Sequence, residues 1–389
     1  MQEGIEMKLC EKNQQWLDDV WAKLQTKMSA EVDRIGDKIP YVPENGVYRD
    51  MSFGNEKKEG NDLYWWTNGF WPGMLWQMYN ATGDERYKKA AEGVEKKFDA
   101  LLAEAIGLHH DVGFMWLHTA VADYRKTGNE QSKVRGLHAA NILAGRYNPD
   151  GKFIRAWNGD RIGWIIIDCM MNIPLLYWAY EQTGDPRYKQ IAMHHADTAM
   201  EKIVRADGSS NHIVALDPDT GDVVDYPPCQ GYDPKGSWSR GQAWAVYGFA
   251  LSYKHTGEQK YLDTAKKVAH YFLANVAQSG NIPLVDFRAP AEPVMYDTTA
   301  AACAACGMLE IAQHVPEFEK SLYENGAINM MKATMEKFCN WDPNYDSILG
   351  GGTEAYHAKP SGIEVPIIYG DYFMIEFILR LMDKDMFIW

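Results

Sequence analysis

The 389-residue chain has no basic run, no cysteine framework and no long apolar stretch. Its formal net charge is −14 and its pI about 5.3, so it carries no electrostatic footprint for nucleic acid. An anionic ligand would need cations gathered locally. Six cysteines, Cys10, Cys169, Cys229, Cys303, Cys306 and Cys339, are scattered without disulfide spacing. Cys303 and Cys306 form a CxxC, but in an Ala-rich helical stretch with no second pair. They read as small buried residues. No HExxH or other recognisable metal-ligand spacing occurs, so no metal is expected. No apolar run approaches the roughly 18 residues of a membrane helix, and no membrane partner is expected. The first residues, MQEGIEMKLCEKNQQW, lack a signal-peptide core. As given, the chain reads as cytoplasmic, or periplasmic if a leader precedes it.

Hydrophobic residues make up 46% of the chain, enough for a large core, and there are 14 Trp and 22 Tyr. That many Trp leaves some for platforms that stack on sugar rings. A turn signature recurs four times: YNATGDERYKKAA from Tyr79, DYRKTGNEQSK from Asp123, YEQTGDPRYKQIA from Tyr180 and YKHTGEQKYLDTA from Tyr253. An apolar, aromatic run precedes each glycine, and a charged amphipathic run follows it. Each unit therefore predicts a buried inner helix, a Thr-Gly turn with the glycine in the left-handed position, and an outer helix. The glycines, Gly83, Gly128, Gly184 and Gly257, lie 45, 56 and 73 residues apart, which excludes a fixed-period solenoid. Two further inner helices are expected from Asp297 and Gly370, and outer ones near Lys12–Ile35 and Glu317–Phe338. Six inner and six outer helices in one chain predict an all-α fold, an (α/α)6 barrel spanning residues 1–389 as one domain. An open superhelix is the competing arrangement.

The same phasing points to a site. Asp168 lies 16 residues before its turn glycine; Asp111, Trp66 and Arg240 each lie 17 before theirs. All four should sit near inner-helix N-termini, at one end of the barrel. Asp168 is the lone formal charge in GWIIIDCMMNIPLL. Ionising a carboxylate there is costly, so its pKa is expected to rise towards the range useful for proton exchange. Asp111 follows His109 and His110. Helix capping is the plain alternative for either Asp, and it is the role expected of Asp297 and Asp371. Two carboxylates at one mouth are, however, the basic equipment for acid/base work on a sugar. The segments entering these helices add Trp65, Trp66 and Trp71, then Trp157 in RAWN, His212 in NHIV and Gln230 in CQGY. WSRGQAW adds Trp238, Arg240 and Trp244. Aromatics, amides and a cation around two Asp residues suit a polyhydroxylated anionic ring.

At WTNGFWPGMLW, HHDVGFM, IDCMMNIPLL, SNHIV, CQGY, WSRGQAW and GDYF the chain resembles the unsaturated glucuronyl hydrolases of glycoside hydrolase family 88. The resemblance runs from about Tyr64 to Arg380. It implies an (α/α)6 barrel, no metal or redox cofactor, and substrates left by polysaccharide lyases. Those carry a non-reducing-end uronic acid with a C4–C5 double bond. It further implies Asp168 as general acid/base and Asp111 as its carboxylate partner, the latter expected to stay ionised. Trp65, Trp157, His212, Gln230, Arg240 and Trp244 fall at substrate-site positions. Where members acting on sulfated fragments carry a Ser/Lys motif, this chain reads EAYHAKPSGIEV, with Lys359 and Ser361 out of clean register. The rival readings are an unsaturated rhamnogalacturonyl hydrolase acting on pectin fragments, a conventional glycosidase or sugar epimerase, and a non-catalytic carbohydrate-binding helical protein.

Overall fold

A computed structural model describes residues 9–52 and 62–389; the first eight residues of the N-terminal stretch discussed above lie outside it. Twelve helices alternate between an outer and an inner ring. The outer ones are α1 (Glu11–Ile35), α3 (Glu85–Lys97), α5 (Glu130–Ala144), α7 (Pro186–Lys202), α9 (Gln259–Val276) and α11 (Glu317–Phe338). The inner ones are α2 (Phe70–Thr82), α4 (112–127, with a π-type turn at Leu117–Val121), α6 (Pro174–Thr183), α8 (Ser239–Thr256), α10 (Thr298–Ala312) and α12 (Ile368–Leu381). Each inner helix packs against the next, and α12 packs back against α2, which closes the ring. The fold is the expected (α/α)6 barrel.

Burial explains the two rings. On α3 the buried residues Tyr87, Ala90, Ala91 and Val94 recur at helical spacing, leaving a charged outer face. Every residue of α10 and α12 is buried, and so is α8 from Ser239 to Ser252. A helix apolar all round must be enclosed, and the inner ring encloses it.

The four Thr-Gly turns share one geometry. Gly83, Gly128, Gly184 and Gly257 have φ of +73°, +75°, +70° and +71°, and each N–H donates to the carbonyl of the Tyr four residues back. Thr82, Thr127, Thr183 and Thr256 each donate their hydroxyl to a carbonyl four residues back and accept the N–H two residues on. Asp84, Asn129 and Asp185 then cap the following outer helix.

The chain entering an inner helix is not always helical. Within GWIIID, Trp164–Ile166 is a strand (β1), which pairs antiparallel with Ile213–Leu216 (β2), itself paired with Val223–Asp225 (β3). A tight helical turn, Ile167–Met171, carries Asp168, and α6 begins only at Pro174. The apolar strip before Asp168 is thus a packed strand followed by a turn, with Ile165 and Ile166 buried.

The barrel axis is filled with rings. Phe114 packs on Trp66 and Trp244, with centroids 5.3 Å away in both cases. Trp244 packs on Phe373, which stacks on Trp389 at 5.8 Å. Trp389 is 1% exposed; it donates its indole N–H to Glu376 at 2.9 Å and lies edge-on to His118. Below it, buried Arg380 pairs with Glu310 at 2.6 Å, and Lys254 reaches the same carboxylate at 2.8 Å. Six Trp are fully buried, Trp71, Trp76, Trp116, Trp178, Trp244 and Trp389, so much of the Trp content is core.

Candidate active site

A cavity of about 530 Å³ opens at the inner-helix N-termini, lined by Tyr41, Trp65, Trp66, Trp157, Asp111, Asp168, Gln230 and Arg240, among others. The four phased residues, Trp66, Asp111, Asp168 and Arg240, therefore meet as expected. Both neighbouring tryptophans, Trp65 and Trp66, line the wall. Two expected residues lie behind it. His212 sits against Asp168, with Nε2 3.3 Å from Oδ1. Trp244 is one helical turn deeper than Arg240 on α8, a drop of about 6 Å, and packs beneath Trp66 at 6.5 Å rather than facing the cavity.

One amide ties the Asp111 carboxylate to the Asp168 backbone. Asn172 Nδ2 donates to Asp111 Oδ1 at 3.2 Å and to the Asp168 carbonyl at 3.1 Å. Its Oδ1 accepts the Phe114 N–H at 2.8 Å, which fixes which way the amide faces. This needs close approach of two backbones. A Cβ on Gly113 would lie 2.4 Å from Asn172 Cα, so glycine is required there. Neither Asp111 nor Asp168 caps its helix, which leaves both carboxylates for the cavity. Asp297 does cap α10, at Thr299 N. Asp371 instead braces the preceding loop, accepting Leu349 N at 2.6 Å and Ile348 N at 3.0 Å.

Electrostatics correct one expectation. Asp111 was expected to stay ionised; burial, and then the Asp168 charge, push its carboxyl well above the ordinary range. Desolvation outweighs the Asn172 hydrogen bond and the Arg146 charge that favour the anion. His212 is shifted the other way. Burial opposes its charge, but Cys229 and Asp168 outweigh burial and hold the imidazole up at about 9. Gln230 N–H donates to its Nδ1 at 3.3 Å in the neutral ring, so Nε2, which faces Asp168, bears a proton in either charge state.

Arg240 is fully buried. It pairs with Asp297 and donates to the carbonyls of Thr353 at 2.7 Å and Glu354 at 2.6 Å. Its guanidinium lies 4.4 Å from the Trp238 ring centroid, and Nε has no protein partner. Most of its charge is thus spent on structure. Gln230 Nε2 donates to the Glu354 carbonyl at 2.7 Å, and Tyr41 O–H donates to Glu354 Oε1 at 2.6 Å. Tyr41 lies outside every motif of the sequence; Asn172 and Glu354 lie within IDCMMNIPLL and EAYHAKPSGIEV, but neither is among the expected site residues. Lys359 and Ser361 also line the cavity.

His109 and His110 complete the wall beside Asp111. His110 Nδ1 must donate to the Ala156 carbonyl, at 2.8 Å, because a carbonyl only accepts. Burial keeps His110 neutral, and burial with the Arg146 charge lowers His109 to about 4. His110 Nε2 is therefore a bare acceptor, 3.2 Å from Asp111 Oδ1.

Residues 33–254 match the model of Glycosyl Hydrolase Family 88. The unsaturated glucuronyl hydrolase of Bacillus sp. (strain GL1) is 37% identical over 362 residues, covering 90% of this chain and 92% of that protein. The unsaturated chondroitin disaccharide hydrolase of Streptococcus agalactiae serotype III (strain NEM316) is 31% identical, covering 94% and 91%. A crystal structure of unsaturated glucuronyl hydrolase from Streptococcus agalactiae superimposes with a TM-score of 0.87 at 30% identity, covering 98% of this chain and 94% of that one. The crystal structure of the Bacillus sp. GL1 enzyme gives 0.84 at 34%, covering 94% and 96%. With its barrel, its paired carboxylates and these relatives, the chain belongs to glycoside hydrolase family 88 and is a glycoside hydrolase.

Proposed function

We propose that this enzyme removes the Δ4,5-unsaturated uronic acid from the non-reducing end of lyase-generated oligosaccharides of glycosaminoglycan type, with residues 1–389 acting as one catalytic barrel. The observation that carries the reading is the Asp111–Asn172–Asp168 arrangement inside an aromatic-walled cavity. Relatives named for unsaturated glucuronyl and chondroitin disaccharide substrates support it, as does a solved Streptococcus agalactiae complex with dGlcA-GalNAc6S. These names favour glycosaminoglycan over pectin fragments.

The bond to be lost is attached to a vinyl ether. Asp168, in its protonated form, delivers its own proton to C4, and His212 Nε2–H, 3.3 Å away, hydrogen-bonds the carboxylate left behind. Positive character then develops at C5 and the ring oxygen. Water adds at C5, and the Asp168 carboxylate takes its proton. The resulting hemiketal opens and releases the neighbouring sugar without attack at C1. One proton is given and one recovered, so Asp168 ends as it began. Asp111 lines the same cavity, where its carboxyl can hydrogen-bond a substrate hydroxyl. Trp65, Trp66 and Trp157 offer faces for the rings, and Gln230 holds the Glu354 segment in place.

Asp168→Asn should cut turnover of an unsaturated disaccharide by about 10²-fold or more with the fold retained. Loss of the ultraviolet absorbance of the unsaturated ring is the assay. Retained activity sinks the assignment. A panel of lyase-generated chondroitin, hyaluronan, heparin and pectic disaccharides assigns the substrate class.

A further inference from the structure

The wall beside Asp111 holds three ligand atoms and too few donors. His109, His110 and Asp111 each offer one ligand atom, and all three atoms lie within 4.8 Å of one another. His110 Nε2 is 3.2 Å from Asp111 Oδ1, and His109 Nδ1 is 3.4 Å from Oδ2. Only the Asp111 N–H reaches His109 Nδ1, at a long 3.4 Å. The Nδ1–H bond from His110 to the Ala156 carbonyl lies outside the cluster and fixes Nε2 as the free nitrogen. A backbone carbonyl orienting an imidazole this way is the usual support of a metal-binding histidine. His110 is 1% exposed and cannot turn away, whereas His109 is a quarter exposed and can close on an ion.

We propose that His109, His110 and Asp111 form a binding site for a borderline divalent transition-metal ion such as Zn2+, and that occupancy switches the hydrolase off. Two imidazoles and a carboxylate suit Zn2+, Ni2+ or Cu2+, and not Mg2+, which prefers all-oxygen surroundings. The nearby cation, Arg146, is the chief opposing charge. Its N–H groups are already spent on the carbonyls of Leu108, Arg155 and Ala156 and on Asn158 Oδ1. An ion on Asp111 would occupy the cavity wall and take the carboxylate away from substrate. Inhibition should therefore compete with substrate.

The inhibitory part rests on Asp111 belonging to the catalytic pair; the binding part does not. The test is calorimetric titration of the chelator-washed protein with Zn2+, without substrate. Exposed Cys10 and Cys229 offer thiols elsewhere, so the titration uses a Cys10→Ser/Cys229→Ser background. One Zn2+ per chain is expected, with affinity about tenfold or more weaker in His109→Ala, and no heat with Mg2+. His109→Ala is the main variant because that ring is part-exposed; His110→Gln is the second, with circular dichroism checking its fold. Turnover assays should then show Zn2+ raising KM with kcat unchanged, reversed by EDTA. No Zn2+ uptake at millimolar metal, or uptake unchanged in both variants, overturns the site. Site-specific uptake without inhibition overturns the switch and leaves the hydrolase reading untouched.

Discussion

At the residue scale, the catalytic pair is asymmetric because its two neighbourhoods differ. Asp111 faces neutral imidazoles and an amide in a buried wall; Asp168 faces a histidine held at about 9. The His212 shift has a stability consequence. Its folded pKa lies above the ordinary 6.5, so the pairing stabilises the fold fully below pH 6.5 and loses that contribution as pH rises through about 9. Denaturant unfolding of wild type and His212→Gln across pH 6 to about 10 should show a stability gap that narrows with rising pH. A constant gap refutes the charged pairing. Gly113 tests the spacing of the pair. In Gly113→Ala the new methyl must push the Asn172 backbone away, and Asn172 holds both the Asp111 carboxylate and the Asp168 main chain. Turnover should fall by about 10²-fold while circular dichroism stays near wild type.

At the element scale, the Thr-Gly turns are fold devices remote from the chemistry. Gly184→Ala forces a side chain into φ +70° and should cost about 1 kcal/mol. Asp185→Ala removes the cap on Arg187 N and should cost about as much. Urea midpoints should drop for both with kcat unchanged; a fall in kcat would show the two ends of the barrel to be coupled. These turns were legible in the sequence because glycine, threonine and a capping residue each act over a few neighbours. The placement of Asp111, Trp66 and Arg240 at one mouth was legible by counting the same 17 residues back from each turn glycine. The strand at Trp164–Ile166 was not, since a short apolar run fits strand and helix alike until its partner, Ile213–Leu216, is known. Nor were the roles of Asn172 and His110. Each depends on atoms brought together from 61 and 46 residues away. Trp244 and Trp65 look equally exposed in sequence; only depth along α8 separates core ring from wall.

At the scale of the whole molecule, the inner ring buries charges as well as rings. Arg380 balances Glu310 and Glu376 at the end away from the cavity. Arg380→Met should leave Glu376 without a cation and Glu310 with Lys254 and His314 alone, and cost about 3 kcal/mol, read by thermal or urea unfolding. A near-neutral result would mean that the carboxylates take up protons instead. The Trp389 side chain, wedged among Phe114, His118, Tyr247 and Phe373, has a different consequence. It makes the barrel a blind well and not a tunnel. A polymer cannot be threaded through it, so the terminal ring goes in head first and both products back out by the same mouth. Each encounter then ends after one cleavage, and a longer chain loses only its unsaturated end unit, because the new end carries no double bond.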